Sequence, residues 1–452
     1  MGLKSKIFAV AGISALAIGT VIGTGFNGTD EAFAKQSKKK EPDIKNVIFL
    51  IGDGMGVSYT SAYRSFKNKE QGTPTEFDKY LTGLQMTYPD DPEYNITDSA
   101  AAATAMSSGV KTYNNAIAVD KHKKPVKTVL EQAKAKGMST GLVATSEITH
   151  ATPAAYGAHN ESRKNMDQIA DDYFNGKIKG KHRIDVLLGG GKTNFVRKDR
   201  DLTKAFQKDG YSYVTNKKQL QKDKNGQVLG LFADGGLDKA IDRSAETPSL
   251  QDMTKSAIER LKQNKKGFFL MVEGSQIDWA GHDNDIVGAM SEMKDFEKAF
   301  KAAVDFAKKD KHTLVIATAD HSTGGMTVGT DGQKNWFPEP ILAAKKTPAF
   351  MANEIASGKP VSSVLKNRIG FTLTKEEINN VEKAAETKNA DAVEKAIKAI
   401  FDNRSHTGWT TGDHTGEEVP VYAFGPGKEQ FTGLLDNTDQ AKNIFKILKN
   451  RK

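Results

Sequence analysis

Cysteine is absent from all 452 residues. That absence excludes a disulfide framework, Cys-ligated zinc, iron–sulfur clusters and a thiol nucleophile. The chain also lacks any internal repeat of about 20–50 residues. It has no low-complexity tract beyond one short basic segment. Apolar residues make up 38% and charged residues 27%, which fits neither a disordered tail nor a multi-span membrane protein. The formal net charge of +9 is spread over a long chain. It reads first as a solubility property, and it could also favour an anionic surface or substrate. No feature points to specific nucleic-acid binding. The length allows two or three domains, or one large α/β domain with insertions.

Residues 1–34 have the layout of a secretory signal peptide. Lys4 and Lys6 precede an uncharged apolar run, Ile7–Gly23, and Ala32-Phe33-Ala34 supplies a small-x-small cleavage pattern. The alternative is a retained N-terminal anchor, because the run is almost long enough to span a bilayer. Residues 35–45 (KQSKKKEPDIK) form a basic, polar tether. It reads as a solvated tail that could touch an anionic cell wall. The expected location is therefore secreted or extracellular, with cell-wall or membrane association open. Residues 46–452 are expected to form one domain.

Within that domain, short apolar runs recur at 46–51, 140–145, 184–188, 267–272, 312–318 and 419–424. They read as buried parallel strands. Residues 252–262 and 287–308 show helical spacing of apolar residues. The alternation predicts an α/β fold with a central, largely parallel sheet flanked by helices. Residues 335–403 have no strong strand run and are rich in Lys, Glu and Ala. They are expected to form a mostly helical insertion. Thr374 and Glu377 would cap a helix over 375–388, and a second helix is expected over 391–401.

In such sheets the chemistry sits at the carboxyl ends of the strands. Here those ends carry Asp53, Glu273, Asp320 and His321, with Asp278 and His282 close behind and His414 just before the last strand. A lone Asp at a strand end is usually a cap or an ion-pair partner, and a lone His is usually a surface or core residue. His122, His159, His182, His312 and His406 take that ordinary reading. Ligand types at successive strand ends favour a multi-metal site instead. Asp278 and His282 are one helical turn apart and can aim at one point. His with carboxylate suits zinc, and all-oxygen groups suit magnesium.

Ser99 follows Thr97-Asp98 and opens an Ala-rich run, Ala100–Ala103. Ala favours helix, and Thr or Asp favours an N-cap. Ser99 thus sits where free backbone N–H groups and the helix dipole favour an anion. It could merely open an ordinary helix. Beside metal ligands, a metal-activated serine is the better account. Arg163 has the geometry to hold two phosphate oxygens, although alone it reads as a surface residue.

Asp53-Gly-Met-Gly56, Thr97-Asp-Ser-Ala-Ala101, Glu273-Gly-Ser-Gln-Ile-Asp278 with His282, Thr318-Ala-Asp-His321 and His414-Thr-Gly416 occur in a fixed order. The ordered set resembles alkaline phosphatases, of the secreted Gram-positive bacterial type, from about residue 45 to 427. The resemblance implies metal-dependent hydrolysis of phosphate monoesters through a phosphoserine on Ser99, with Arg163 clamping phosphate. It implies two zinc ions and one magnesium ion per chain. Asp278, His282 and His414 would hold the first zinc, and Asp53, Asp320 and His321 the second. Asp53 would also bridge to the third metal with Thr152 and Glu273. His150 and Trp279 stand where the best-known enteric pattern has Asp and Lys. A His near the third site could favour zinc or cobalt over magnesium, because imidazole is the softer donor. Substrates would be small phosphate monoesters of broad range, and a homodimer is compatible with the family.

A phosphodiesterase or sulfatase-like relative with the same metal core is the competing enzyme. Ser99 is followed by Ala-Ala, however, and not by the Pro and Arg of a sulfatase context. A wall-binding protein without catalysis is the competing non-enzyme.

Overall fold

The computed structural model describes residues 43–69 and 72–450. The expected signal segment, and the tether up to residue 42, lie outside the described residues.

Ten strands form one sheet. In chain order they are β1 (Asn46–Gly52), β2 (Leu81–Met86), β3 (Ser139–Glu147), β4 (Val186–Gly190), β5 (Ser212–Val214), β6 (Val228–Leu231), β7 (Phe268–Gly274), β8 (Thr313–Thr318), β9 (Val419–Phe424) and β10 (Gly433–Asp436). Across the sheet the order is β10-β2-β9-β8-β1-β7-β3-β4-β6-β5. Only β9 runs against its neighbours, β8 and β2. The expected α/β class with a largely parallel central sheet therefore holds.

The central strands read as unbroken apolar runs because both faces of the sheet are covered. In β1, Ile48 and Leu50 join one hydrophobic cluster, whereas Val47, Phe49 and Ile51 join the other. β7 divides in the same way, with Phe268, Leu270 and Val272 on one face and Phe269 and Met271 on the other. This is the two-residue alternation of a strand buried on both sides.

Helices follow several strands. Those that bear on the site are α1 (Val57–Asn68), α2 (Ser99–Ser108), α3 (Ala151–Gly157), α4 (Gln276–His282) and α5 (Ile286–Asp310). Asp285 caps α5 by accepting from the N–H groups of Val287 and Gly288, and Lys311 ends it in the left-handed region. Between residues 335 and 405 the helices are Glu339–Leu342, Pro348–Ala356, Val361–Arg368, Lys375–Glu386 and Ala390–Ser405. Thr374 and Glu377 form a reciprocal capping box. Met351, Leu365, Val381, Ile397 and Phe401 join the same cluster as Ile48 and Leu50, so these helices extend one face of the main core. No helix of the described residues is long and apolar enough to cross a membrane.

Candidate active site and metal centre

Six local structures deliver the predicted side chains to one end of the sheet. Asp53 follows β1 in a tight turn that needs Gly54 at φ +72°. Glu273 lies near the end of β7, and α4 follows with Asp278 and His282 one turn apart. Asp320 and His321 follow β8. His414 belongs to a two-residue strand whose partner is Ser322–Thr323, with Thr323 directly opposite His414. Ser99 opens α2, capped by Asp98, whose side chain accepts from the Ala101 N–H. His150 and Thr152 open α3.

These side chains converge. Asp278, His321 and His414 form one group of ligand atoms lying within 4.8 Å of one another. Asp53, Asp320 and His321 form a second such group, and Asp53, His150 and Glu273 a third. Asp53 and His321 thus each belong to two groups. His282 joins the first through its Nε2, which lies 3.3 Å from Asp278 Oδ2 and 3.1 Å from His414 Nε2. Ser99 Oγ sits 3.2 Å from His321 Nε2 and is buried.

The imidazoles point the same way for one reason. Nδ1 of His282 faces the Gly412 carbonyl at 2.6 Å, that of His414 faces the Thr97 carbonyl at 2.9 Å, and that of His321 faces the Ser322 carbonyl at 3.3 Å. A carbonyl only accepts, so each Nδ1 carries the proton and each Nε2 presents a lone pair inward. Two such lone pairs 3.1 Å apart, beside a carboxylate, call for a metal ion or a proton between them. The acidic groups make the same demand. Both carboxylate oxygens of fully buried Asp53, together with Glu273 Oε1, Asp320 Oδ2 and Thr152 Oγ1, have no hydrogen-bond partner. Buried carboxylate oxygens are costly unless paired or bound to metal. The donor set, nitrogen plus carboxylate without sulfur, fits divalent ions of the zinc and magnesium kind.

The electrostatics agree. Burial raises Asp53 well above the carboxylate range, and Asp320, Asp278 and Glu273 raise it further. Burial also pushes Asp320 up to about 6 and Glu273 up to about 7. Asp278 goes the other way. Burial opposes its charge, but hydrogen bonding and charge from His282, then His321 and His414, hold it below the usual range. Its hydrogen bond in turn lifts His282 to about 9. A proton on His282 would therefore compete with a metal ion for the same lone pairs.

Arg163 is anchored beside this centre. Its Nη1 donates to Asp98 Oδ2 at 3.0 Å, and its Nη2 donates to His150 Nε2 at 3.1 Å. Two of its five N–H donors are spoken for, and three remain for a ligand. Burial and then the Arg163 charge hold His150 down to about 3, so this ring is neutral. Its position beside Asp53 and Glu273 allows metal contact, but its Nε2 is already engaged by Arg163. Ligation through Nε2 would require that hydrogen bond to break. The Trp279 ring packs edge-on against His150 at 5.7 Å.

All eleven predicted site residues thus lie in one neighbourhood. Four of the histidines expected to be ordinary also have ordinary partners. His159 pairs with Glu131, His182 with Asp209, His312 with the Asp43 carbonyl and His406 with the Asn335 carbonyl. Sequence reasoning missed the residues that hold the site's residues in place. Asp98 reads as a cap and also anchors Arg163, 65 positions away. Thr323 Oγ1 donates to Asp278 Oδ1 at 2.5 Å, and Tyr59 donates to the Thr323 carbonyl at 2.7 Å. The carbonyls of Thr97 and Gly412 leave no trace in side-chain chemistry.

Comparison with known proteins is consistent with this geometry. The family model described as alkaline phosphatase matches residues 44–450. Alkaline phosphatase 4 of Bacillus subtilis (strain 168) is 66% identical over 455 residues, covering 100% of this chain and 98% of that protein. The crystal structure of a cold-active alkaline phosphatase from the psychrophile Shewanella sp. superposes with a TM-score of 0.84 at 40% identity, covering 89% of this chain and 99% of that one. A histidine-to-aspartate mutant of the alkaline phosphatase from the Antarctic bacterium TAB5, solved with magnesium bound in its M3 site, superposes with a TM-score of 0.67 at 30% identity. That match covers 91% of this chain and 99% of that one.

Proposed function

The chain belongs to the alkaline phosphatase family and is a metal-dependent hydrolase of small-molecule phosphate monoesters, and from this premise we propose how its residues divide the work. Ser99 is the nucleophile. Its Oγ attacks phosphorus in line, the ester P–O bond breaks, and the alcohol leaves with a proton. Water then attacks phosphorus from the side the alcohol vacated, the P–Oγ bond breaks, one water proton passes to Oγ to restore the Ser99 hydroxyl, and inorganic phosphate departs. The N-terminus of α2 favours negative charge on Oγ and on the attached phosphoryl group. Arg163, oriented by Asp98, holds two phosphoryl oxygens with paired, charge-assisted hydrogen bonds. Most of the acceleration comes from positioning and electrostatics, as in other phosphoryl transfers.

Asp278, His282 and His414 would hold one zinc ion, and Asp53, Asp320 and His321 a second. Thr152, Glu273 and His150 would join Asp53 at a third site taking magnesium or another divalent ion. The TAB5 relative binds magnesium in its M3 site when an aspartate replaces a histidine. An imidazole at this position, as in His150, favours a softer ion such as zinc or cobalt. Bound cations supply Lewis acidity, which lowers the pKa of a hydroxyl or water and neutralises charge on the transferring group.

The observation that carries this reading is the convergence of three inward-facing Nε2 lone pairs and unpartnered buried carboxylates beside the Ser99 hydroxyl. Replacing Ser99 with Ala tests it. Turnover of a nitrophenyl phosphate should fall by at least three orders of magnitude while bound metal stays at the wild-type level. Unchanged turnover would remove Ser99 from the mechanism.

The proposal extends to the cell. Residues 1–34 direct secretion and are cleaved after Ala34, and the 35–45 tether is a solvated, basic tail able to touch an anionic wall. Residues 46–452 act as one catalytic domain carrying the 335–403 helical insertion, and a homodimer is compatible with the family.

A further inference from the structure

We propose that Thr323 is a positioning residue whose hydroxyl couples the two ligand groups that share His321, by fixing the orientation of Asp278 and, together with the Ser322 carbonyl, that of the His321 ring. The inference rests on the reading of Asp278 and His321 as metal ligands.

The Thr323 hydroxyl has one proton and two neighbours. Asp278 Oδ1 lies 2.5 Å away and His321 Nδ1 lies 3.3 Å away. Ionised Asp278 can only accept, so the Thr323 O–H donates to it. His321 Nδ1 also faces the Ser322 carbonyl, so it carries hydrogen and donates. The chain therefore runs in one direction, from His321 Nδ1–H to Thr323 Oγ1–H to Asp278 Oδ1. Its effect at one end is to leave His321 Nε2 bare toward Ser99, Asp53 and Asp320. At the other end it occupies one carboxylate oxygen and leaves Asp278 Oδ2 facing His282. Asp278 belongs only to the group with His414, whereas His321 belongs to both groups.

The surroundings hold Thr323 in place. It is fully buried, and fully buried Tyr59 donates its hydroxyl proton to the Thr323 carbonyl at 2.7 Å. Trp409 meets Tyr59 edge-on at 6.5 Å, and its indole N–H donates to Asp402 at 3.2 Å. Thr323 also pairs with His414 across the short ladder, so its backbone sets that ligand's register. Two glycines permit the close approach. A Cβ at Gly54 would lie 2.7 Å from both Asp278 Cα and Thr323 Oγ1, and one at Gly281 would strike Tyr59 Oη.

The test compares Thr323→Val, which keeps the shape and loses the hydroxyl, with Thr323→Ser, which keeps the hydroxyl and loses a methyl. Each protein is loaded with zinc and titrated with a chelator, and bound zinc is measured by elemental analysis. Removal of a residue that orients a metal ligand typically costs about 10–100-fold in metal affinity. Thr323→Val should therefore lose half its zinc at a chelator concentration at least about tenfold lower than wild type, with kcat falling more than KM rises. Thr323→Ser should stay within about threefold. A residue that only fills space predicts the reverse order, with Val tolerated and Ser impaired, and that result would overturn the proposal. Asp278→Ala, run in parallel, separates the two readings. If it retains zinc like wild type, the ligand assignment fails. If it loses zinc while Thr323→Val does not, only the role of Thr323 fails. Should Thr323→Val not fold, Tyr59→Phe releases the Thr323 carbonyl and should shift the titration severalfold in the same direction. An unshifted Tyr59→Phe titration, with zinc retained by Thr323→Ser no better than by Thr323→Ala, would equally refute it.

Discussion

Asp98 offers a quantitative probe of how the phosphate clamp is held. Its carboxylate makes three bonds. It accepts from the Ala101 N–H at 2.9 Å as the cap of α2, from the Asn115 N–H at 2.9 Å, and from Arg163 Nη1 at 3.0 Å. Asp98→Asn can keep the cap, since Oδ1 serves Ala101 alone. It places an amide N–H₂ where Oδ2 meets two donors, so both the Arg163 and Asn115 bonds are lost. A hydrogen bond to a charged group contributes about 1.5–3 kcal/mol. Both side chains are partly exposed, so the low end applies here. About 1.4 kcal/mol corresponds to tenfold in affinity. If that bond orients Arg163 for phosphate, competitive inhibition by inorganic phosphate should weaken about tenfold in Asp98→Asn. Asp98→Ala should match it and also lose the cap, about 1 kcal/mol of stability. Neither should change bound metal. The assay is phosphate inhibition of nitrophenyl phosphate hydrolysis, with Arg163→Ala as the limiting case. Inhibition within twofold of wild type in both Asp98 variants, alongside a large loss in Arg163→Ala, would refute the orienting role.

Three further outcomes follow from particular contacts. Gly54→Ala forces a side chain into the left-handed region, at about 1–2 kcal/mol, and drives Cβ against Asp278 and Thr323. Zinc retention and turnover should each drop at least about tenfold, whereas Gly226→Ala, which meets nothing within 4 Å, should behave as wild type. Exhaustive chelation should abolish turnover, and zinc with magnesium should restore it. Irreversible loss with the fold intact would contradict a purely metal-dependent site. Away from the site, burial pushes Glu131 up, but His159, the Thr128 N–H and Arg183 outweigh it and hold the carboxyl down to about 2. From an ordinary value of 4.5, a depressed acid stabilises the fold above that value and loses the effect as pH falls toward 2, by about 3 kcal/mol in all. Wild type should therefore lose more stability between pH 5 and pH 3 than Glu131→Gln, as measured by thermal unfolding. Parallel curves would contradict it.

The central strands were legible because burial on both faces leaves unbroken apolar runs, as in β1, β7 and β8. β2 was missed because Leu81 and Leu84 are exposed and Gly83 and Gln85 interrupt the run. β5, β6 and β10 have only three or four residues each, too short for periodicity to register. The ligand-type side chains were legible because a parallel sheet collects them at its strand ends. What positions them was not. The contacts that orient His282 and His414 come from main-chain carbonyls, which any residue type supplies. Asp98 and Arg163 meet across 65 positions, and Asp278 and Thr323 across 45. A Thr or an Asp carries no sign of such a partner in the local pattern.

The most direct test of the central claim is anomalous diffraction at the zinc edge from crystals grown without chelator. Two strong peaks are expected. One should lie within bonding distance of Asp278, His282 Nε2 and His414 Nε2, and the other within bonding distance of Asp53, Asp320 and His321 Nε2. Enzyme crystals that are active when dissolved yet show no transition-ion peak among these side chains would contradict it.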